Sequence, residues 1–139
     1  MLTVREMDHI VINVQDMDRV LDFYTNTLGL KAERLEEFRQ GKVPFPSVRI
    51  NADTLIDLFP VTAPASAGQK SALASLNHFC LVIEPTDMQQ VIDHLHKHGV
   101  TIEQGPVQRW GAHGNATSIY FCDPEQRQIE IRYYDNGTV

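Results

Sequence analysis

The constraint that weighs most on this chain is that it is written twice. Asp8-His9-Ile10-Val11-Ile12-Asn13-Val14 and Asn77-His78-Phe79-Cys80-Leu81-Val82-Ile83 share a polar-His opening and an apolar run, 69 residues apart. Each is followed by a turn, Gln15-Asp16 in one and Glu84-Pro85-Thr86-Asp87 in the other. A helical pattern comes next: Met17-Asp18-Arg19-Val20-Leu21-Asp22 matches Met88-Gln89-Gln90-Val91-Ile92-Asp93. Both helices stop at a glycine suited to the left-handed position past a helix end, Gly29 and Gly99. Short strand-like pieces close each half, Ser47–Ile50 and Leu55–Phe59 in the first, Thr117–Cys122 and Gln128–Tyr134 in the second. An ordered series of this kind predicts two βαβββ modules rather than one irregular domain.

Alternation within the strands then sorts residues by face. Ile10, Ile12 and Val14 share one side and are expected to lie under the stripe of Val20, Leu21 and Tyr24. Phe79, Leu81 and Ile83 do the same against Val91, Ile92 and Leu95. Two such modules side by side predict an α+β fold with a curved mixed sheet, helices on its convex side. The open side then carries His9, His78, Asp57 and Glu130, with Arg132 beside Glu130.

Composition narrows the partners. The chain has 139 residues, 12 Lys+Arg against 18 Asp+Glu, and a net charge of −6. That length suits a single domain spanning 1–139, with a first module over 5–60, a linker over 61–74 and a second module over 75–135. The acid excess disfavours duplex nucleic acid and anionic membrane surfaces as partners. Apolar runs are strand-sized, and Met1–Glu6 reaches mixed charge with no apolar stretch, so neither a membrane span nor a signal peptide is expected. Cys80 and Cys122 do not make a disulfide scaffold, and a reduced, cytoplasmic setting follows.

The paired layout, with DHIVINV and NHFCLVI opening the halves, resembles the vicinal oxygen chelate superfamily. Its most specific part here is the ending Tyr120-Phe121-Cys122-Asp123-Pro124-Glu125-Gln126-Arg127-Gln128-Ile129-Glu130, similar to that family's hairpin into the last metal-binding strand. Ile102–Gly114 looks most like the glyoxalase-domain-containing 5, lactoylglutathione-lyase-like branch. The resemblance implies a divalent metal ion (Ni, Zn, Mn, Co or Fe) held by His9, His78 and Glu130, donors that suit such ions and leave positions open for a bidentate oxygen substrate. Asp57 stands where glyoxalase I places a carboxylate, usually Glu, and is one methylene shorter, about 1.5 Å of reach. It is a ligand or acts through a water.

The resemblance also implies a reaction class. The first choice is a lactoylglutathione-lyase-like isomerisation through a metal-bound enediolate, with Glu130 and Asp57 catalytic and a glutathione adduct among the possible substrates. The alternatives are an Fe(II) extradiol-type dioxygenase using a two-His-one-carboxylate site, and a non-catalytic binding or resistance protein. A fosfomycin-type activity is disfavoured, because Val11 stands where those relatives carry Thr. Tyr120, Ser118, Arg109 and Arg132 are the candidate substrate contacts, Arg109 and Arg132 for an anionic group. Arg109–Asn115 reads as a glycine-punctuated rim loop, and Arg34–Pro46 as an edge strand with a mobile loop. His94, His96 and His98 read as a solvated helix face, Cys80 and Cys122 as small fillers. Small two-module relatives are commonly homodimers, so a homodimer is the implied assembly.

Overall fold

The computed structural model describes residues 3–62 and 76–135, so most of the expected linker lies outside the described residues. The chain divides into two compact units, Met1–Gly68 and Gln69–Val139. The first runs β1 (His9–Val14), α1 (Met17–Asp22), β2 (Lys31–Glu33), α2 (Leu35–Arg39), β3 (Ser47–Arg49) and β4 (Leu55–Pro60). The second runs β5 (His78–Val82), α3 (Met88–Lys97), β6 (Gln104–Gly111), β7 (Gly114–Cys122) and β8 (Gln128–Arg132). Each unit holds a four-stranded mixed sheet, ordered β1-β4-β3-β2 and β5-β8-β7-β6. In both, the first and last strands pair in parallel and the remaining pairs are antiparallel. The α+β expectation and the doubled βαβββ order both hold.

The strand parities hold too. Ile12, Val14, Ile56 and Leu58 are buried with Val20, Leu21 and Tyr24, while His9, Val11 and Asn13 are exposed. In the second unit Ile119, Phe121, Ile129 and Ile131 are buried with Ile92 and Leu95. At roughly 25 cal/mol per Å² of apolar surface removed from water, these layers are what hold each sheet to its helix. Gly29 and Gly99 take φ of +78° and +77°, the left-handed exit that other side chains resist.

Helix α3 starts because the Asp87 carboxylate accepts a hydrogen bond from the Gln89 N–H at 2.9 Å, satisfying a donor that the helix itself leaves unpaired. Asp87→Ala is expected to cost about 1 kcal/mol. Urea denaturation checks this, and an unchanged midpoint would show that the cap does not stabilise the fold.

Local chemistry departs from expectation in three places. After α1 the backbone widens into a π-helical turn, Phe23–Thr27, where Thr25 Oγ1 donates to the Leu21 carbonyl at 2.6 Å. Arg34–Pro46 contains the helix α2, entered through Arg34 at φ +58°, and the edge strand precedes it as Lys31–Glu33. Arg109–Asn115 is not a rim loop: it is the end of β6 and the start of β7, a hairpin that turns at Ala112-His113 with Gly111 opposite Gly114.

Candidate functional site

Register explains why the two histidines matter. In the first unit His9 pairs with Leu55, and Asp57 lies two residues further along the neighbouring strand. In the second unit His78 pairs with Gln128, and Glu130 lies two residues further along. Parallel pairing with period-2 side chains therefore puts one His and one carboxylate on the same face of each sheet. The distances follow: His78 Nε2 is 3.2 Å from Glu130 Oε1, and His9 Nε2 is 3.9 Å from Asp57 Oδ2.

The residue before each histidine orients its ring. His9 Nδ1 lies 2.6 Å from Asp8 Oδ2, and His78 Nδ1 lies 2.7 Å from Asn77 Oδ1. Each Nδ1 therefore carries the proton and donates it, which turns Nε2 toward the carboxylate. An unprotonated Nε2 facing a carboxylate oxygen sets acceptor against acceptor, unless a proton or metal ion lies with them. Hydrogen bonding to Asp8 also raises the His9 pKa against the opposing desolvation, with the Asp57 charge adding to the rise.

The two carboxylates are held very differently. Asp57 is buried and accepts one hydrogen bond, from Ser47 Oγ to Oδ1 at 2.6 Å. Glu130 is surrounded by donors. Ser118 Oγ reaches Oε2 at 2.7 Å, Tyr120 OH reaches Oε1 at 2.9 Å, and Arg132 reaches Oε2 through Nη2 at 2.6 Å and Nε at 3.2 Å. Burial opposes its charge, but hydrogen bonds from Ser118, Arg132 and Tyr120 prevail and hold its pKa down at about 2. Burial and the bond to Glu130 push the Tyr120 hydroxyl up.

Arg132 is 2 % exposed, and beyond Glu130 it donates to Tyr134 OH at 3.3 Å and to the Trp110 carbonyl at 3.2 Å. Its guanidinium is thus committed inside the protein. Arg109 differs: its Nη1 donates to the Gln108 carbonyl, and its Cζ lies 6.0 Å from the centre of the Tyr120 ring. Cys80 is exposed and so is not the buried filler expected, and desolvation by its neighbours together with the Glu130 charge pushes its thiol up to about 11. Cys122 Sγ donates to Glu103 Oε1 at 2.6 Å, and among the described residues no disulfide joins the two cysteines. His98 Nδ1 lies 2.9 Å from the His94 carbonyl at the exposed end of α3.

These placements cover every candidate. Within the first unit His9 and Asp57 come together; within the second His78, Glu130, Ser118, Tyr120 and Arg132 do, with Arg109 beside Tyr120. Among the described residues no three His, Cys, Asp or Glu side chains converge within reach of one ion. Sequence reasoning missed Ser47, Tyr134 and Gly111, and did not use Asp8 and Asn77, although their shared position before each histidine was a usable sign.

A family model described as the Glyoxalase/Bleomycin resistance protein/Dioxygenase superfamily matches residues 6–131. The chain belongs to this superfamily. Among relatives of this superfamily chain, the glyoxalase domain-containing protein RDO1 of Mycosarcoma maydis is 36% identical, over 98% of this chain and 72% of that protein. The lactoylglutathione lyase of Neisseria meningitidis serogroup A is 23% identical over 93% of this chain and 91% of its own length. Among solved structures, an integron cassette protein from the mobile metagenome of V. cholerae matches with a TM-score of 0.75 at 27% identity, covering 97% of this chain and 99% of its own. No helix among the described residues of this superfamily member is long and apolar enough to cross a membrane.

Proposed function

We propose that the chain is a divalent-metal-dependent enzyme acting on a small molecule with two neighbouring oxygens. Lactoylglutathione-lyase-type isomerisation is the reaction to assay first, by likeness to the lyase relatives. The observation that carries the proposal is the repeated pair, an anchored imidazole whose Nε2 faces a carboxylate at the same register in each unit. Adjacent donors around an ion with bonds of about 2.1 Å stand roughly 3.0–3.4 Å apart. The 3.2 Å between His78 Nε2 and Glu130 Oε1 fits that spacing, and the 3.9 Å between His9 Nε2 and Asp57 Oδ2 lies outside it.

The proposed ligands are His9 with Asp57 in the first unit and His78 with Glu130 in the second. A metal held by such donors would supply Lewis-acid polarisation of substrate oxygens. The protein's own groups divide the remaining work. Glu130 is pinned by Ser118, Tyr120 and Arg132 and serves as a fixed acceptor. Asp57 Oδ2 carries no hydrogen bond among the described residues, so it is the oxygen left to take a proton from a substrate carbon and return it to the next. Arg109, beside Tyr120, is the cation available to an anionic part of the substrate, since Arg132 is committed to Glu130.

The test is metal content of untagged protein, with His78→Ala and Glu130→Ala beside it, followed by turnover of the methylglyoxal–glutathione adduct with nickel, zinc, cobalt or manganese. Both variants are expected to lose bound metal, and the parent to turn over the adduct with at least one ion. Stoichiometric metal in both variants overturns the ligand set. Metal binding without turnover overturns the isomerase, and oxygen uptake with catechols under ferrous iron then identifies the two-His-one-carboxylate dioxygenase.

A further inference from the structure

Glycine inside a strand weakens it, so a strand glycine usually marks a close approach by something else. Gly111 is such a place. A Cβ there would land on Arg132 Nη1, with Arg132 Cζ and the Tyr134 hydroxyl both 2.8 Å away. The guanidinium cannot simply swing aside. It is held from three other directions, by Glu130 Oε2, Tyr134 OH and the Trp110 carbonyl. The hairpin is tied to the same point, because the His113 N–H donates to Tyr134 OH at 3.2 Å and the His113 and Tyr134 rings meet edge to face at 5.3 Å.

The first unit shows what the sheet looks like without this arrangement. Two residues beyond Asp57 on β4 stands Phe59, where the second unit has Arg132 two residues beyond Glu130, and the Phe59 ring lies 4.3 Å from that of Phe45. Among the described residues Asp57 has one hydrogen-bond donor, Ser47, where Glu130 has Ser118, Tyr120 and Arg132. The difference between the two carboxylates is thus built by Ser118 and Tyr120 of β7 and by Arg132 of β8, whose guanidinium is seated against Gly111 of β6.

From this we infer that Gly111 and Arg132 are positioning residues. The bare strand at Gly111 seats the Arg132 guanidinium, which with Ser118 occupies Glu130 Oε2 and leaves Oε1 presented toward His78 as a single-oxygen donor. The inference rests on Glu130 being a metal ligand, as proposed above, and adds what sets its orientation. Partners that orient a ligating group typically change metal affinity by about 10–100-fold when lost.

The test uses Co²⁺ as the probe, followed by equilibrium dialysis and by its visible absorption bands, in untagged protein whose exposed His94 and His98 are replaced by alanine. Gly111→Ala is expected to weaken Co²⁺ binding at least tenfold and to alter the bands. In an Arg132→Lys background the shorter side chain no longer reaches Gly111, so adding Gly111→Ala should change affinity less than twofold. An undiminished affinity in Gly111→Ala overturns the inference, and so does an equal loss in both backgrounds. If Gly111→Ala alone fails to fold, recovery of folding on adding Arg132→Lys supports the seat and continued failure overturns it. Glu130→Ala separates the two levels: if it binds Co²⁺ like the parent, the metal reading itself falls. If it loses Co²⁺ while Gly111→Ala does not, only the positioning role falls.

Discussion

Replacing Arg132 by methionine is expected to destabilise the protein by about 3–5 kcal/mol, because it strips the cation from a buried carboxylate. For a chain of this length that lowers Tm on the order of 10 °C. Side chains at both ends of the pair are nearly sealed from water, 3% exposed at Arg132 and 5% at Glu130. Ser118 and Tyr120 would still donate to the orphaned carboxylate, but neither carries a charge to offset its desolvation. The control is the double variant Glu130→Leu with Arg132→Met. Replacing a whole buried ion pair by apolar side chains is often close to neutral, so the double variant should be more stable than Arg132→Met alone. Urea denaturation of both decides the matter. A loss below about 1 kcal/mol for Arg132→Met would mean that the pair is solvated and contributes little.

The same pair shows what the sequence could and could not reveal. Residues governed by period-2 alternation were legible: His9, His78, Asp57 and Glu130 all fall on the predicted faces because a strand leaves each side chain only two directions. The doubling was legible because each half must build the same layer from the same pattern. What was not legible depends on contacts across strands. Arg132 was open to a substrate or to an acidic neighbour on sequence alone, and only register and side-chain length bring its guanidinium back to Glu130, Trp110 and Tyr134. Gly111 and Gly114 looked like loop punctuation, whereas Gly111 is a strand residue made bare to admit that guanidinium. Helix α2 and strand β2 span five and three residues, too few for either periodicity to show.

Acid stability should report on Glu130 with a sign that the hydrogen bonds dictate. Its pKa is depressed from an ordinary 4.5 to about 2, so between those values the unfolded chain binds a proton that the folded chain does not. Stability therefore rises with pH across that window: the contribution is fully present above about pH 4.5 and is lost as pH falls toward 2. For a group this buried the difference amounts to about 3 kcal/mol. Glu130→Gln removes the titration while keeping the shape, so its stability should fall less steeply than the parent's from pH 5 to pH 2. Glu33, whose pKa is lowered through its hydrogen bond with Arg49, contributes to both proteins alike and cancels in the comparison. His9 acts with the opposite sign, since its raised pKa contributes below its ordinary 6.5 and is lost as pH rises through the folded value, leaving the acid window to the carboxylates. Chemical denaturation of parent and Glu130→Gln at half-unit intervals of pH measures the difference directly. Parallel curves would show that the donors around Glu130 do not favour its charged form, and that Arg132 is held there by packing alone.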